Sequence, residues 1–272
     1  MLMDHNKNNN NNNNKEKQKF QVPLLWRIHN PQLPTENSLR IAERRLKILI
    51  KHAKRLNKLN EITEQVENLI QKGYARKLTS LDMINPPPKT FYLPIFISEQ
   101  KGKRIRLVWD AAAKVQNKSL NDYLLPGPNL YTDLVNLLMQ LREGKYFVKA
   151  DISEMFHQVD IIPEDRPALR FLFINKITQE IEHYEMQVMV FGTVCAPCTS
   201  QYIKNRIANE NKEAHPEASD VIENNVYVDD LVKSFNDINY GKKMIYDVRS
   251  ILSSGGFNLV KLRGNIPELL DT

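Results

Sequence analysis

Two adjacent aspartates, Asp229 and Asp230, interrupt an otherwise apolar stretch near the end of the chain. Residues 226–228 precede them, and Leu231 and Val232 follow. β-Branched and aromatic residues on both sides of a short acidic pair predict two strands joined by a tight Asp-Asp turn. Such a pair is either a solvated turn or a set of ligands for a hard cation such as Mg²⁺. The pattern therefore predicts a hairpin with two carboxylates at its tip.

A third acid, Asp151, ends the apolar run at 146–150, and a helix-like stretch at 154–156 follows it. An acid at the end of a strand projects into whatever cleft lies there. Phosphoryl transfer with two metal ions requires carboxylates to clamp the ions. The sequence therefore predicts that Asp151 joins Asp229 and Asp230 in one metal site.

The composition is that of a folded protein. The 272 residues are 42% hydrophobic and 26% charged, which suffices for one large or two small domains. No apolar run has the length of a membrane span, and no hydrophobic segment follows Met1. We therefore expect an intracellular protein without a membrane partner. The two cysteines, Cys195 and Cys198, indicate a reducing compartment and exclude a disulfide framework.

Charge is distributed unevenly along the chain. Residues 1–150 contain 26 Lys and Arg against 13 Asp and Glu, whereas residues 151–272 contain 12 against 19. A basic half joined to an acidic half favours one region that grips a polyanion and another that concentrates carboxylates for metal. Two ordinary solvated surfaces are the alternative.

The remaining patterns predict an α+β fold, with helices packed on one side of an antiparallel sheet. The Asn-rich tail at 1–19 is expected to be disordered. Lys and Arg at the turn of a second predicted hairpin, 92–97 with 104–109, suit phosphate binding. A solvated hairpin whose charges protect its edges is the alternative. The predicted elements are a basic amphipathic helix capped by Asn37 or Ser38, a helix at 62–72 closed by Gly73, a hairpin of 92–97 with 104–109, a helix capped by Thr132, strands at 168–174 and 181–190, helices at 197–212 and 240–252, and a strand at 257–262.

Several short segments stand out between residues 20 and 265. They include Val-Pro-Leu-Leu-Trp at 22–26, Lys-Arg-Ile-Arg-Leu-Val-Trp-Asp-Ala at 103–111, Ala-Asp-Ile-Ser-Glu-Met-Phe-His-Gln at 150–158, Phe-Gly at 191–192, Tyr-Val-Asp-Asp at 227–230 and Gly-Gly-Phe-Asn-Leu at 255–259. With these segments in this order, the chain from residue 20 to 265 resembles the reverse transcriptase part of Pao/BEL retrotransposon polyproteins. The chain departs from the family at 196–198 and at 260–262, where primer and template contacts are expected.

The resemblance implies a right-hand polymerase fold with fingers and an antiparallel palm sheet packed on helices. It divides the chain into the tail at 1–19, an N-terminal region and fingers at 20–144, and a palm at 145–272 that is interleaved with the fingers. No thumb is expected before Thr272. The implied partners are an RNA or DNA template with primer and deoxynucleoside triphosphates, and no oligomeric state is indicated. The implied location is the cytoplasm, a virus-like particle or the nucleus.

The resemblance also implies a role for each matching residue. Asp151, Asp229 and Asp230 match the acids that hold two Mg²⁺ or Mn²⁺ ions. Arg106 and Lys103, with Lys101 as an alternative lysine, match the residues on the incoming triphosphate. Phe156 matches the side chain that distinguishes deoxyribose from ribose, with a plain core aromatic as its alternative. Phe191 and Gly192 match the segment over the nascent base pair.

Two further functions stay open from the sequence. A truncated or repurposed copy would keep the fold and bind nucleic acid without copying it. A thiol redox protein would use Cys195 and Cys198, because two cysteines at this spacing near a helix start are typical of such sites.

Overall fold

The structure is a computed structural model, and it describes residues 20–99, 102 and 104–269. The tail at 1–19, which was predicted to be disordered, and the lysines Lys101 and Lys103, which were predicted to contact the triphosphate, lie outside the described residues. No helix within the described ranges combines the length and the apolar character that crossing a membrane requires.

Seven α-helices and eleven strands make up the described part of the chain. The helices are α1 (Thr35–Arg55), α2 (Leu59–Gln71), α3 (Ser80–Ile84), α4 (Leu134–Leu141), α5 (Ala196–Glu210), α6 (Pro216–Asn224) and α7 (Ile238–Ser254). The strands are β1 (Gln21–Val22), β2 (Ala75–Lys77), β3 (Ile95–Ser98), β4 (Arg106–Trp109), β5 (Tyr146–Ile152), β6 (Asp160–Ile161), β7 (Arg170–Ile174), β8 (Ile181–Met186), β9 (Val226–Tyr227), β10 (Asp230–Phe235) and β11 (Leu259–Gly264).

The chain forms two compact units, each assembled from separate stretches. The first comprises Gly127–Val159 and Pro197–Thr272 together with Phe20. The second comprises Gln21–Pro126 and Asp160–Ala196. Each unit therefore interrupts the other in sequence.

A four-stranded antiparallel sheet in the order β11-β5-β10-β9 is the centre of the first unit. Side chains along β5 alternate, so that Val148, Ala150 and Ile152 are buried while Lys149 stands on the opposite face. This period of two is the one expected for a strand with one covered face. Helices α4 and α7 pack against β10.

The second unit contains the antiparallel sheet β2-β8-β7, the hairpin β3-β4 and the short parallel pair β1-β6. Its core is aromatic. Trp109 meets Phe171 edge to face with ring centroids 5.8 Å apart, and Phe171 stacks on Tyr184 at 5.4 Å. Helix α1 packs on β3 and β7 through its buried side, which includes Ala42 and Leu46.

Several sequence predictions are confirmed. The predicted hairpin of 92–97 with 104–109 is present as β3 and β4, although both strands are shorter. Helix α2 closes as predicted, because Gly73 follows it with φ of 71°, a conformation that glycine adopts without a steric penalty. Strands β7, β8 and β11 and helices α5 and α7 lie within a few residues of their predicted bounds.

Two predicted helix caps are wrong because tertiary contacts take the side chains. Helix α1 begins at Thr35, and its N-cap is Pro34 rather than Asn37 or Ser38. The buried Ser38 hydroxyl instead accepts from the Tyr92 backbone N–H at 3.1 Å.

Helix α4 begins one residue later than a Thr132 cap would place it. The cap is Asp133, whose carboxylate accepts from the Asn136 N–H at 2.7 Å. The Thr132 hydroxyl donates to the Val226 carbonyl oxygen at 3.0 Å.

Candidate active site

The four-stranded sheet brings two of the three predicted acids side by side. Asp151 on β5 lies directly opposite Asp230 on the antiparallel neighbour β10. Directly opposed residues have Cβ atoms about 4.5–5.5 Å apart. Like charges at such a pair destabilise a sheet unless something compensates them. The candidate site is built around this pairing of Asp151 with Asp230.

The third acid, Asp229, lies in the hairpin turn, and here the sequence prediction needs correction. The turn consists of Val228 and Asp229, whereas Asp230 is already the first residue of β10 and pairs with Tyr227. Val228 has φ of 56°, which a β-branched residue rarely adopts. A backbone of this kind costs about 1–3 kcal/mol and persists only where surrounding contacts enforce it.

Two hydrogen bonds hold this turn. The side-chain Nε2 of Gln201, on α5, donates to the Val228 carbonyl oxygen at 2.6 Å, and the Ile152 N–H donates to the Asp229 carbonyl oxygen at 2.7 Å. The Gln201 side chain is only 2% exposed, and its Oε1 has no hydrogen-bond partner among the described residues. The contacts therefore tie the turn to a buried amide on one side and to the end of β5 on the other.

Two lysines neutralise the paired acids. Lys261 Nζ lies 2.9 Å from Asp151 Oδ2, and Lys149 Nζ lies 3.0 Å from Asp230 Oδ2. Lys261 has φ of 55° and sits where the register of β11 against β5 shifts, so a bulge directs it to Asp151. The side chains of both lysines are more than half exposed. Exposed pairs contribute little to stability, so a divalent cation can replace these lysines at low cost.

Asp229 is the electrostatically stressed member of the set. Burial raises its pKa, and the negative charges of Asp151 and Asp230 raise it further. Because the charges of Asp151 and Asp230 raise the pKa of Asp229, Asp229 experiences electrostatic repulsion from both of them. A bound cation would relieve this repulsion.

The donor chemistry of the three acids fits a divalent ion, because Mg²⁺ and Mn²⁺ prefer carboxylate oxygen. Burial is the main cause of the raised pKa of Asp229, and repulsion from Asp151 and Asp230, which a bound cation would relieve, adds to it. Within residues 20–99, 102 and 104–269, however, no three His, Cys, Asp or Glu side chains converge closely enough to hold one ion. In this arrangement Asp151 and Asp230 are each paired with a lysine.

We expect Asp229→Asn to stabilise the protein in the presence of EDTA. A raised carboxyl pKa means that the contribution of Asp229 to the free energy of unfolding is present in acid and lost as pH rises through the raised pKa. At neutral pH the asparagine variant should regain up to about 1 kcal/mol after allowance for solvent screening. Thermal unfolding measures the change, with exposed Glu213→Gln as the control for charge. A lower melting temperature for Asp229→Asn would contradict the assignment.

Phe156 belongs to the same unit as the acids. It lies in the 3₁₀ helix Met155–Gln158, which begins after Glu154 with φ of 50°. Its side chain is half-buried, whereas that of neighbouring Met155 is buried. The positive φ of Glu154 redirects the chain between Asp151 and Phe156, so the spacing of five residues does not continue the strand.

The other predicted site residues belong to the second unit. Arg106 begins β4, is exposed, and has no ion-pair partner among the described residues. Phe191 is 60% exposed. Gly192 has φ of 116° and lies against the Trp109 carbonyl oxygen so closely that a Cβ atom would collide with it. Only glycine fits at this position. Lys103, the predicted lysine partner of Arg106, lies outside the described residues.

Asn121 is a site residue that the sequence analysis did not assign. Its side-chain amide donates to the Gly192 carbonyl oxygen at 3.0 Å and accepts from the Val194 N–H at 2.9 Å. One asparagine therefore fixes the backbone after Phe191. Gln201, Lys149 and Lys261 were missed in the same way. Asn121 and Gln201 are polar residues next to recognised motifs, which was the only signal in the sequence.

The two cysteines do not have the properties of a redox pair. Cys195 is buried, and burial raises the pKa of the Cys198 thiol. Redox thiols have a lowered pKa, because the thiolate is the reactive form.

We expect Cys198→Ser to keep any activity within a few-fold of the parent. We also expect iodoacetamide to alkylate the parent at pH 7 more slowly than a small thiol. Rapid alkylation with loss of activity would revive the redox interpretation.

Comparison with known protein families gives one decisive match. Residues 99–261, more than half of the chain, match the family model described as reverse transcriptase (RNA-dependent DNA polymerase). The chain belongs to the reverse transcriptase family. The matched range includes all three acids of the sheet, together with Arg106 and Phe156.

Curated relatives of this reverse transcriptase domain are retroviral and LTR-retrotransposon polyproteins. The chain is 25% identical over 203 residues to the Gag-Pol polyprotein of Bovine immunodeficiency virus (strain R29), with 74% of the chain and 12% of that protein covered. It is 26% identical over 184 residues to the Retrovirus-related Pol polyprotein from transposon opus of Drosophila melanogaster, with 65% and 15% covered. The chain thus spans a small part of these relatives.

Solved structures show the same fold. The foamy viral protease-reverse transcriptase in complex with double-stranded DNA superimposes with a TM-score of 0.55 at 17% identity, covering 74% of this chain and 30% of that chain. The same viral protein in complex with an RNA/DNA hybrid gives a TM-score of 0.55 at 17% identity, covering 75% and 24%. Of the predicted α+β polymerase fold, these structures confirm the coarser part, a mixed fold of helices and strands that resembles reverse transcriptase structures.

Proposed function

We propose that the chain catalyses DNA synthesis on an RNA or DNA template by adding deoxynucleotides to a primer 3′-hydroxyl. The observation that carries the proposal is the direct pairing of Asp151 with Asp230 beside the Asp229 turn. Three carboxylates at one end of the four-stranded sheet suit a two-metal reaction, and bound cations would relieve the repulsion that Asp229 experiences from Asp151 and Asp230. The Pao/BEL group is our proposed subfamily, on the strength of the sequence segments that resemble it.

Asp151, Asp229 and Asp230 would hold two Mg²⁺ or Mn²⁺ ions. Bound there, the ions would lower the pKa of the attacking hydroxyl and stabilise the charge on the departing pyrophosphate. Lys149 and Lys261 keep the acids neutralised before the ions bind. Gln201 and the Ile152 N–H keep the Val228–Asp229 turn in place throughout.

Arg106, Phe191 and Gly192 are the residues that we propose for the nucleotide contacts. Arg106 would bind the incoming triphosphate, because guanidinium groups make paired hydrogen bonds to phosphate oxygens. Lys103 is proposed as its partner. Phe191 and Gly192 would lie over the nascent base pair, with Asn121 holding their backbone. In this proposal the first unit is the palm and the second includes the fingers. An intracellular site of action stays a prediction.

Phe156 would exclude ribonucleotides by occupying the space of the 2′-hydroxyl. We expect Phe156→Val to raise the use of ribonucleotides relative to deoxynucleotides by about 10–100-fold, the range over which an apolar pocket distinguishes one hydroxyl. Deoxynucleotide use should change little. Phe147→Val, an exposed aromatic on β5, is the matched control. An unchanged ratio in Phe156→Val would indicate a core aromatic only.

Primer extension on poly(rA) with oligo(dT) tests the proposed function. The chain should extend the primer only when Mg²⁺ or Mn²⁺ is present, and the Asp229→Asn, Asp230→Asn double variant should not extend it. Binding of the primer–template by both proteins, with extension by neither, would instead support a copy that binds nucleic acid without copying it.

A further inference from the structure

Helix α1 carries a line of basic side chains that the proposed function does not use. From residue 44 to residue 60 the chain has seven Lys and Arg and no Asp or Glu. Five of the seven, all exposed, form what we call the cationic stripe: Arg44, Lys47, Lys51, Lys54 and Arg55. No member of the stripe has an ion-pair partner among the described residues.

The stripe faces away from the body of its unit. At 100° per residue its members span about a third of the helix circumference. The buried residues Ala42, Leu46, Leu49 and Ala53 occupy the opposite side. The stripe is therefore presented to solvent along about three turns of a helix whose other face is anchored in the core.

Without a bound anion, repulsion between the positive charges of the stripe destabilises helix α1. Like charges three and four residues apart on a helix destabilise it by about 0.2–0.5 kcal/mol for each pair. The helix dipole compensates Lys54 and Arg55, which lie in the last turn, but not Arg44, Lys47 or Lys51. Solvated helix faces usually mix the two signs. A regular row of anions would relieve the repulsion.

We propose that the cationic stripe binds the sugar–phosphate backbone of RNA or DNA, as a contact separate from the catalytic sheet. A phosphodiester backbone is a regular row of negative charges, and Lys and Arg contacts to it release counterions. An anionic membrane suits the stripe less well, because a membrane-surface helix inserts an apolar face and α1 has buried that face in its own unit. The inference rests on the proposed function for its partner, a nucleic acid, but not on synthesis.

The test compares two triple variants with equal loss of charge. Arg44→Gln, Lys47→Gln, Lys51→Gln removes part of the stripe, and Lys114→Gln, Lys242→Gln, Lys243→Gln removes three other cations. Both are made in the Asp229→Asn, Asp230→Asn background, so that only binding is measured. Fluorescence anisotropy of a labelled primer–template duplex across a salt series gives the affinity and its salt dependence. Lys47→Arg, Lys51→Arg keeps the charge and should keep the binding.

The stripe variant should bind at least about tenfold more weakly at 50 mM salt, and its slope of log affinity against log salt should be smaller by about 2.7, or 0.9 for each phosphate contact. In the control triple variant, both the loss of affinity and the change in slope should be smaller. Equal losses in the two triples, or none in either, would overturn the inference. The inference would also be overturned if the stripe variant lost binding to phosphatidylserine vesicles while its binding of the duplex stayed unchanged.

Failure of the inference is distinguishable from failure of the proposed function. If the parent chain extends primers but the stripe variant binds the duplex as the parent does, the proposed polymerase function stands and the proposed role of the stripe is wrong. Glutamine is a good helix former, so circular dichroism and thermal unfolding should show an intact α1. Should the triple variant unfold, the double variant Lys47→Gln, Lys51→Gln carries the same test with an expected slope change of about 1.8.

Discussion

Replacement of Asp151 by asparagine should strongly reduce primer extension. The loss should exceed the roughly 10–100-fold that is typical when a residue that only orients a metal ligand is removed. The reason is that Asp151 is the only one of the three acids contributed by β5, and it directly opposes Asp230. Asparagine keeps the shape but removes the charge that a cation requires. Primer–template affinity should remain near that of the parent. Single-turnover extension at saturating primer–template measures the change.

Asp247→Asn on α7 is the matched control, because it removes the same charge outside the catalytic sheet. It should extend primers as the parent does. Undiminished extension by Asp151→Asn would remove this residue from the metal site. Equal losses in the two variants would point to a general effect of charge.

Replacement of Gln201 should affect both stability and turnover. Loss of a buried hydrogen bond that leaves the Val228 carbonyl oxygen unsatisfied costs about 1–3 kcal/mol. Because that bond restrains the turn carrying Asp229, we also expect kcat per folded molecule to fall about 10–100-fold, as for residues that orient metal ligands. The KM for deoxynucleotide should change little. Gln201→Met, which fills the space without donating, and Gln201→Glu, which places a carboxylate against a carbonyl, should both be impaired.

A purely structural role for Gln201 would lower the melting temperature without changing kcat per folded molecule. Tyr202→Phe, a half-exposed neighbour on the same helix, provides the control. The folded fraction is measured by unfolding under the assay conditions. Equal kcat values for the parent and Gln201→Met after this correction would show that the turn holds its shape without the amide.

Patterns of local sequence were enough to predict the three acids and their strands. The alternation of buried and exposed residues along β5 places Asp151 on the same face as Lys149, and the apolar runs around Asp229 and Asp230 predict a hairpin. Such patterns have a period of two and need no knowledge of partners. The family was recognised from these residues together with segments elsewhere in the chain, and it is confirmed. The order in which the strands pair was not predicted.

Contacts between distant residues account for what the sequence did not predict. Val228, rather than an aspartate, takes the first turn position, although propensity disfavours a β-branched residue with positive φ. The contact that enforces this conformation comes from Gln201, 27 residues earlier. The bulge that brings Lys261 to Asp151 is likewise a property of the paired strands. Neither feature has a local signature.

The binding of Mn²⁺ to the primer–template complex tests most directly whether the three carboxylates form a metal centre. Electron paramagnetic resonance counts the ions bound in the presence of deoxynucleotide. We predict two ions for the parent chain and loss of both from the Asp229→Asn, Asp230→Asn variant, with Glu213→Gln unchanged. The same number of ions bound with the same affinity by the parent and the double variant would contradict the account.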